Sequence, residues 1–222
     1  MGIYVTGDTH GFIERIEAFD KKLAKGDICI VCGDFGYLFL DNDIEHRILD
    51  NMEKRPYMLT FVDGNHENFP AIHSFPKEIW NGGKIHRIRK NIIHLCRGQI
   101  FTLLSNKKIF TFGGGYSVDR ASRREGYDWW PQEMPTDDEF NEAQRNLNAH
   151  DRKVDYIITH AAPEDTMNLF HPEHAKEKPL NTFLEYIRET VQYDRWFMGH
   201  LHQDKDLWRN QTILWHDIRR ID

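Results

Sequence analysis

The sequence predicts a single layered α/β domain spanning residues 1–222. Apolar runs of strand length recur along the whole chain, and amphipathic stripes at helical spacing lie between them. Strand and helix therefore alternate in the first half and again in the last third. No internal repeat, low-complexity tract or linker breaks this order, and 222 residues suit one large domain better than two very small ones.

The elements follow in chain order. Residues 3–6 form an apolar strand, and Phe12, Ile13, Ile16, Phe19 and Leu23 line one face of a helix. Residues 28–32 are the second strand. Ile44, Ile48, Leu49 and Met52 form the next helical stripe, and residues 57–62 the third strand. Residues 83–112 are strand-rich with tight turns, and their clearest runs are 92–95, 100–104 and 109–112. Within them the basic stretch Lys84-Ile85-His86-Arg87-Ile88-Arg89-Lys90 reads as an alternating strand with one solvated face. Residues 113–135 are the longest irregular segment, of the kind that often carries function. Thr136-Asp137-Asp138-Glu139 predicts a capping box that starts a helix reaching about His150. A strand at 156–159, a helix at 180–191 and strands at 196–198 and 213–215 complete the chain.

Composition narrows the function classes. Hydrophobic residues at 40% and charged residues at 29% fit a soluble globular protein with a substantial core. The net charge of −6 argues against general binding to nucleic acid or to an anionic membrane. No apolar run approaches a membrane span. The chain opens directly into a strand with no basic region or signal-type cleavage site, and the three cysteines are an odd number; both predict a reducing, cytoplasmic setting. Cys29 and Cys32 have redox-motif spacing. In a strand, however, positions i and i+3 face opposite sides, so they read as buried structural thiols.

Chemistry-bearing residues gather at the strand exits. Gly7-Asp8-Thr9-His10 follows the first strand, Gly33-Asp34 the second and Gly64-Asn65-His66-Glu67 the third. His160 follows the strand at 156–159, and Gly199-His200-Leu201-His202 the strand at 196–198. In α/β sheets ligands bind at the carboxyl ends of strands, and glycine lets the backbone come close to a bound group. Two carboxylates, an amide and five histidines at one edge would be costly without a partner, and a metal pair supplies one. Oxygen and imidazole donors suit Mn, Fe, Co, Ni or Zn. Asp34, alone in the middle of the order, is the best candidate for a carboxylate shared by both ions.

These motifs, in this order and over nearly the whole chain, resemble the pattern of the calcineurin-like metallophosphoesterases. The resemblance implies a four-layer α/β/β/α sandwich with mixed sheets and a dinuclear centre of two divalent ions, Mn first, with Fe, Zn, Ni or Co as alternatives. One ion would take Asp8, His10, Asp34 and His202; the other would take Asp34, Asn65, His160 and His200. His66 matches the histidine that is not a ligand but protonates the leaving group, after a metal-bridging hydroxide attacks phosphorus. Glu67 is expected to hold a neighbour by a hydrogen bond.

The sequence also departs from the pattern. The protein Ser/Thr phosphatase branch carries a further Asp and Arg soon after its second motif. Here the chain runs Gly33-Asp34-Phe35-Gly36-Tyr37-Leu38, so the carboxylate that would orient His66 and the arginine that would grip phosphate are both missing. The segment Gly113-Gly114-Gly115, followed by Arg120, Arg123 and Arg124, is a candidate substitute: glycine N–H groups to cradle an anion, and Arg120 or Arg123 to clamp it. Trp129-Trp130-Pro131 reads either as a stacking platform for a base or as an anchor pinning the loop to the core. His46, His73, His86, His94, His150 and His216 read as incidental, and His171 with His174 as a lid.

The expected partner is a phosphorylated substrate: a small molecule, a nucleotide or a phosphoprotein. The competing readings are a Ser/Thr-type protein phosphatase and a non-catalytic scaffold of the same fold. The presence of every ligand position argues against the scaffold.

Overall fold

The computed structural model describes residues 1–171 and 175–222; His174 lies outside them. Thirteen strands and six α-helices are formed among the described residues. The chain runs β1 (Ile3–Thr6), α1 (Ile13–Lys22), β2 (Ile28–Val31), α2 (Asp43–Met52), β3 (Met58–Phe61), α3 (Phe69–Ser74), β4 (Lys77–Trp80), β5 (Gly83–Arg89) and β6 (Ile92–Leu95). It continues through β7 (Gln99–Thr102), β8 (Lys108–Phe112), α4 (Asp137–Ala149), β9 (Tyr156–Thr159), α5 (Glu164–Phe170) and α6 (Lys178–Thr190). The last strands are β10 (Arg195–Met198), β11 (Lys205–Leu207), β12 (Gln211–Ile213) and β13 (Ile218–Arg220).

The strands form two mixed sheets, ordered β13-β1-β2-β3-β6-β5-β4 and β11-β12-β10-β9-β8-β7. Each has a parallel centre with antiparallel edges: β1, β2, β3 and β6 in the first, β12, β10, β9 and β8 in the second. Parallel strands covered on both faces need apolar side chains at every position rather than at alternate ones. Ile28–Val31 and Tyr156–Thr159 are accordingly buried throughout.

Three apolar clusters hold the layers together. Ile3, Val5 and Ile30 of the first sheet pack with Ile109, Ile158 and Phe197 of the second. The other face of the first sheet receives Phe19 of α1, Leu49 of α2 and Ile72 of α3. The other face of the second receives Leu147 of α4, Met167 of α5 and Leu184 of α6. Cys29 lies in the helix-facing cluster and Cys32 in the sheet-to-sheet cluster, so the two thiols do face opposite ways. Burial pushes the Cys29 thiol up to about 12, as expected for an inert structural residue.

The capping box forms: Thr136 Oγ1 accepts from Glu139 N at 3.4 Å, and Glu139 Oε2 accepts from Thr136 N at 2.8 Å. Five short elements were not expected from the sequence: α3, β4, α5, β11 and β13. The six-residue α3 starts from an Asn68 cap and a proline in its first turn, which is too short for a periodic pattern. No helix among the described residues is long and apolar enough to cross a membrane.

Candidate metal centre and active site

The site lies where β1, β2, β3, β9 and β10 end, so that both sheets deliver residues to one place. Its backbone is strained in a consistent way. His10, Asp34, His200 and His202 all adopt left-handed conformations, with φ of 46°, 50°, 64° and 48°. Each such residue costs about 1–3 kcal/mol and persists where the surroundings enforce it. Two of the glycines at these strand exits are explained by proximity. A Cβ on Gly64 would lie 2.0 Å from Asp34 Oδ1, and one on Gly199 would lie 2.1 Å from Asp8 Oδ1.

Asp8, His10, Asp34 and His202 bring one donor atom each within 4.8 Å of one another. His10 Nε2 and His202 Nε2 are 3.1 Å apart, and Asp8 Oδ2 is 2.9 Å from His202 Nε2 and 3.7 Å from His10 Nε2. Asp8 Oδ2 is nevertheless buried without a well-directed hydrogen bond. Trp215 stacks on the His202 ring at 5.2 Å and fixes its plane.

The second group is Asp34, Asn65, His160 and His200. His160 Nδ1 donates to Cys32 O at 2.8 Å, so its Nε2 turns a lone pair into the site. Asn65 Nδ2 donates to Ser117 Oγ at 3.1 Å, so its Oδ1 turns inward too. These two acceptors face each other at 3.0 Å. His200 Nδ1 lies 3.1 Å from His160 Nε2, while His200 Nε2 meets Glu177 Oε2 at 3.0 Å. Opposed lone pairs need a cation between them, and ligating histidines usually give their other N–H to a carbonyl or carboxylate. The residues therefore fit metal ions, and Asp34 touches both groups: Oδ2 is 3.8 Å from His10 Nε2 and Oδ1 is 3.5 Å from His160 Nε2.

Charge follows the same geometry. Burial would raise the Asp34 carboxyl, but His160, His66 and His10 hold it below the ordinary range. Burial would lower His200, yet Glu177 outweighs it and brings its pKa up to about 9. Glu177, opposed by its own burial, is held down at about 2 by His200.

The His66 N–H donates to Asp34 Oδ1 at 2.8 Å, which ties this residue to the carboxylate that approaches both donor groups. No side chain among the described residues hydrogen-bonds its ring. Burial first, then the Arg123 charge, keep its pKa below the ordinary histidine value, against the pull of Asp34. His66 lines two cavities. One, of about 600 Å³, also touches Asp34, Asn65, Tyr116, Lys176 and His200; the other, of about 550 Å³, is bordered by His10, Tyr37 and Arg123. Glu67 is buried and accepts from Phe35 N at 2.7 Å, pinning the turn that carries Asp34.

The arginine loop divides in use. Arg120 is taken up by the fully buried Glu133 at 2.5 and 2.8 Å and lies over the Tyr116 and Trp129 rings. Arg123 is held by Asp119 at 2.8 Å and by Asp128 O at 3.0 Å, and borders the smaller cavity beside His66. The expected N–H cradle does not form at two of its three glycines: Gly114 N donates to Asp63 O and Gly115 N to Glu133 O. Trp130 is buried edge-on to Phe39 and anchors the loop.

Glu177 and Glu133 were missed by the sequence reading. Glu177 lies in a polar loop and Glu133 in the long irregular segment 113–135, and only tertiary approach buries them. The sequence model of the calcineurin-like phosphoesterase family matches residues 1–204. Comparison with curated proteins returns no match.

Proposed function

The chain belongs to the calcineurin-like phosphoesterase family, and from that premise we propose that it hydrolyses phosphate mono- or diesters with two divalent ions at the centre described above. The observation that carries this reading is the position of Asp34 between two converging donor sets. One set is Asp8, His10, Asp34 and His202; the other is Asp34, Asn65, His160 and His200. When bound, the ions would activate water and neutralise charge on the phosphoryl oxygens. The all-oxygen-and-imidazole donors support manganese first.

The chain's own groups do the rest. His66 donates a proton to the departing oxygen; its lowered pKa makes the protonated form a stronger acid. Arg123 supplies the phosphate contact from the His66 side, and Arg120 holds the loop rather than the substrate. Tyr116 and Lys176 border the substrate cavity, whose size suits a small phosphorylated molecule such as a nucleotide. The three unbridged cysteines support a cytoplasmic setting.

The test is hydrolysis of chromogenic phosphate mono- and diesters by protein reloaded with Mn²⁺. We expect turnover that chelation removes and Asp34→Asn abolishes. Metal-loaded protein inert towards both ester classes, and towards nucleotides and phosphopeptides, would leave the scaffold reading in its place.

A further inference from the structure

A second cluster of metal-type donors lies on the first sheet, away from the dinuclear centre. β5 and β6 pair antiparallel with His86 directly opposite His94, so their side chains share a face. Cys96 is two residues beyond His94 and joins that face. One donor atom from each of the three comes within 4.8 Å of the others.

The hydrogen bonds around them have the form of a built site. His86 Nδ1 donates to Phe75 O at 2.7 Å, which leaves Nε2 as an open lone pair. His94 Nε2 donates to Asp63 Oδ1 at 3.0 Å, and its Nδ1 is buried with no hydrogen-bond partner. His86 and His94 are 2% and 4% exposed. A carbonyl behind one imidazole and a carboxylate behind the other is the outer arrangement that orients metal-binding histidines. The donors open on a cavity of about 230 Å³ that His73 also lines, with its ring 5.2 Å from that of His86.

We propose that His86 Nε2, His94 Nδ1 and Cys96 Sγ form a third metal site that takes one zinc-class divalent cation, with a fourth position open to His73 or water. Two imidazoles and a thiolate are a donor set of borderline softness, unlike the oxygen-rich dinuclear centre, and three protein ligands leave one position free. Most of the pocket's fixed charges are already paired: Arg97 with Asp63 and Glu139, and Lys84 with Glu142. Lys77 also lines the pocket; its charge repels an incoming cation but favours the Cys96 thiolate. The Cys96 thiol loses its proton to solvent as the metal–sulfur bond forms. A cation here would tie β5 and β6 to Asp63, one residue before the Gly64-Asn65-His66 turn.

The experiment strips wild-type and Cys96→Ser proteins with chelator, reloads both with Co²⁺, and records metal content and near-ultraviolet absorption. Wild type should hold one more cobalt per chain than Cys96→Ser and show a thiolate-to-cobalt charge-transfer band that the variant lacks. The band is read in wild type itself, so a misfolded variant does not remove the test: folded wild type without the band overturns the site. His202→Ala, a change at the dinuclear centre, should lose cobalt but keep the band. Loss of the band there would assign the thiolate to Cys32 beside Asp8 and would also overturn the site.

Discussion

Glu177 Oε2 lies 3.0 Å from His200 Nε2, on the side of the ring turned away from the candidate metal position. This carboxylate, at the N-terminal end of α6, also accepts from Tyr116 N at 2.8 Å and so joins the second sheet's helix layer to the loop that follows β8. It raises the His200 pKa to about 9 in the metal-free protein. A raised histidine pKa means that the stabilising charge is fully present below the ordinary histidine value and is lost as pH rises through about 9. At pH near 7.5 the ring is therefore protonated and must shed that proton to bind a cation through Nδ1. Metal titration by calorimetry in two buffers of different ionisation enthalpy should show proton release there, fading as pH rises past 9. Glu177→Gln should abolish the release and weaken metal affinity by about 10–100-fold. Buffer-independent heats in wild type would refute the pairing.

For His66, the structure supports a role that depends on the leaving group. Its ring lies 5.6 Å from that of His10 and borders both cavities, yet it belongs to neither donor set. His66→Ala should retain full metal content. Its turnover should fall by about 10²–10⁴-fold on esters with basic leaving groups and far less on nitrophenyl esters, which depart without a proton. A uniform loss across leaving groups, or a loss of metal, would show that His66 is not the proton donor.

The candidate metal centre was legible because its residues are local to strand exits: a strand, a glycine, then a donor is a pattern that a linear sequence displays. The capping box was legible for the same reason, since its partners are three residues apart. Arg120 and Glu133 are thirteen residues apart across an irregular loop, so nothing in the sequence paired them. His86 and His94 each sit in an ordinary strand pattern, and only the antiparallel register sets one opposite the other. Strand ends were expected one or two residues too long at 28–32 and 57–62, because Cys32 and Val62 remain buried after their ladders end.

At Gly64 the limit is steric. A Cβ there would stand 2.0 Å from Asp34 Oδ1 and 2.5 Å from Asp34 N, and the backbone atom cannot swing aside. Gly64→Ala should displace the shared carboxylate, so that bound metal falls at both positions together and the melting temperature drops. Retention of both ions by a folded Gly64→Ala protein would mean that the turn adapts more freely than its packing indicates.

The buried triad of Asp63, Arg97 and His94 predicts the acid limb of stability. Burial would raise the Asp63 carboxyl, but Arg97 and His94 hold it well below the ordinary carboxylate range. A depressed carboxyl contributes stability above its ordinary pKa and loses it as pH falls through the folded value, so this term survives through mild acid. Arg97→Met leaves Asp63 and Glu139 without their shared cation and should cost about 3–5 kcal/mol at pH 7. Urea unfolding should show the acid limb of the variant shifted to higher pH. A change below about 0.5 kcal/mol would show that the pair contributes little.

Arg120 and Arg123 should fail in different ways. Arg120 neutralises Glu133, which is fully buried and also accepts from Ser117 N at 2.6 Å and Ser117 Oγ at 2.8 Å. Ser117 in turn positions Asn65, so the chain of contact runs from Arg120 to a candidate ligand. Arg120→Ala strands a buried carboxylate and should destabilise the fold by about 3–5 kcal/mol, with lower metal occupancy at the Asn65 position. Arg123 is held by the exposed Asp119 and by one carbonyl of the half-buried Asp128, so Arg123→Ala should leave unfolding within about 0.5 kcal/mol of wild type. Its effect should fall on catalysis: a phosphate contact made equally in ground and transition states raises KM at constant kcat, and one made only in the transition state lowers kcat. Thermal unfolding, metal content and steady-state kinetics of the two variants together decide the matter. If Arg120→Ala is stable and Arg123→Ala is kinetically silent, the division of labour in this loop is reversed or absent.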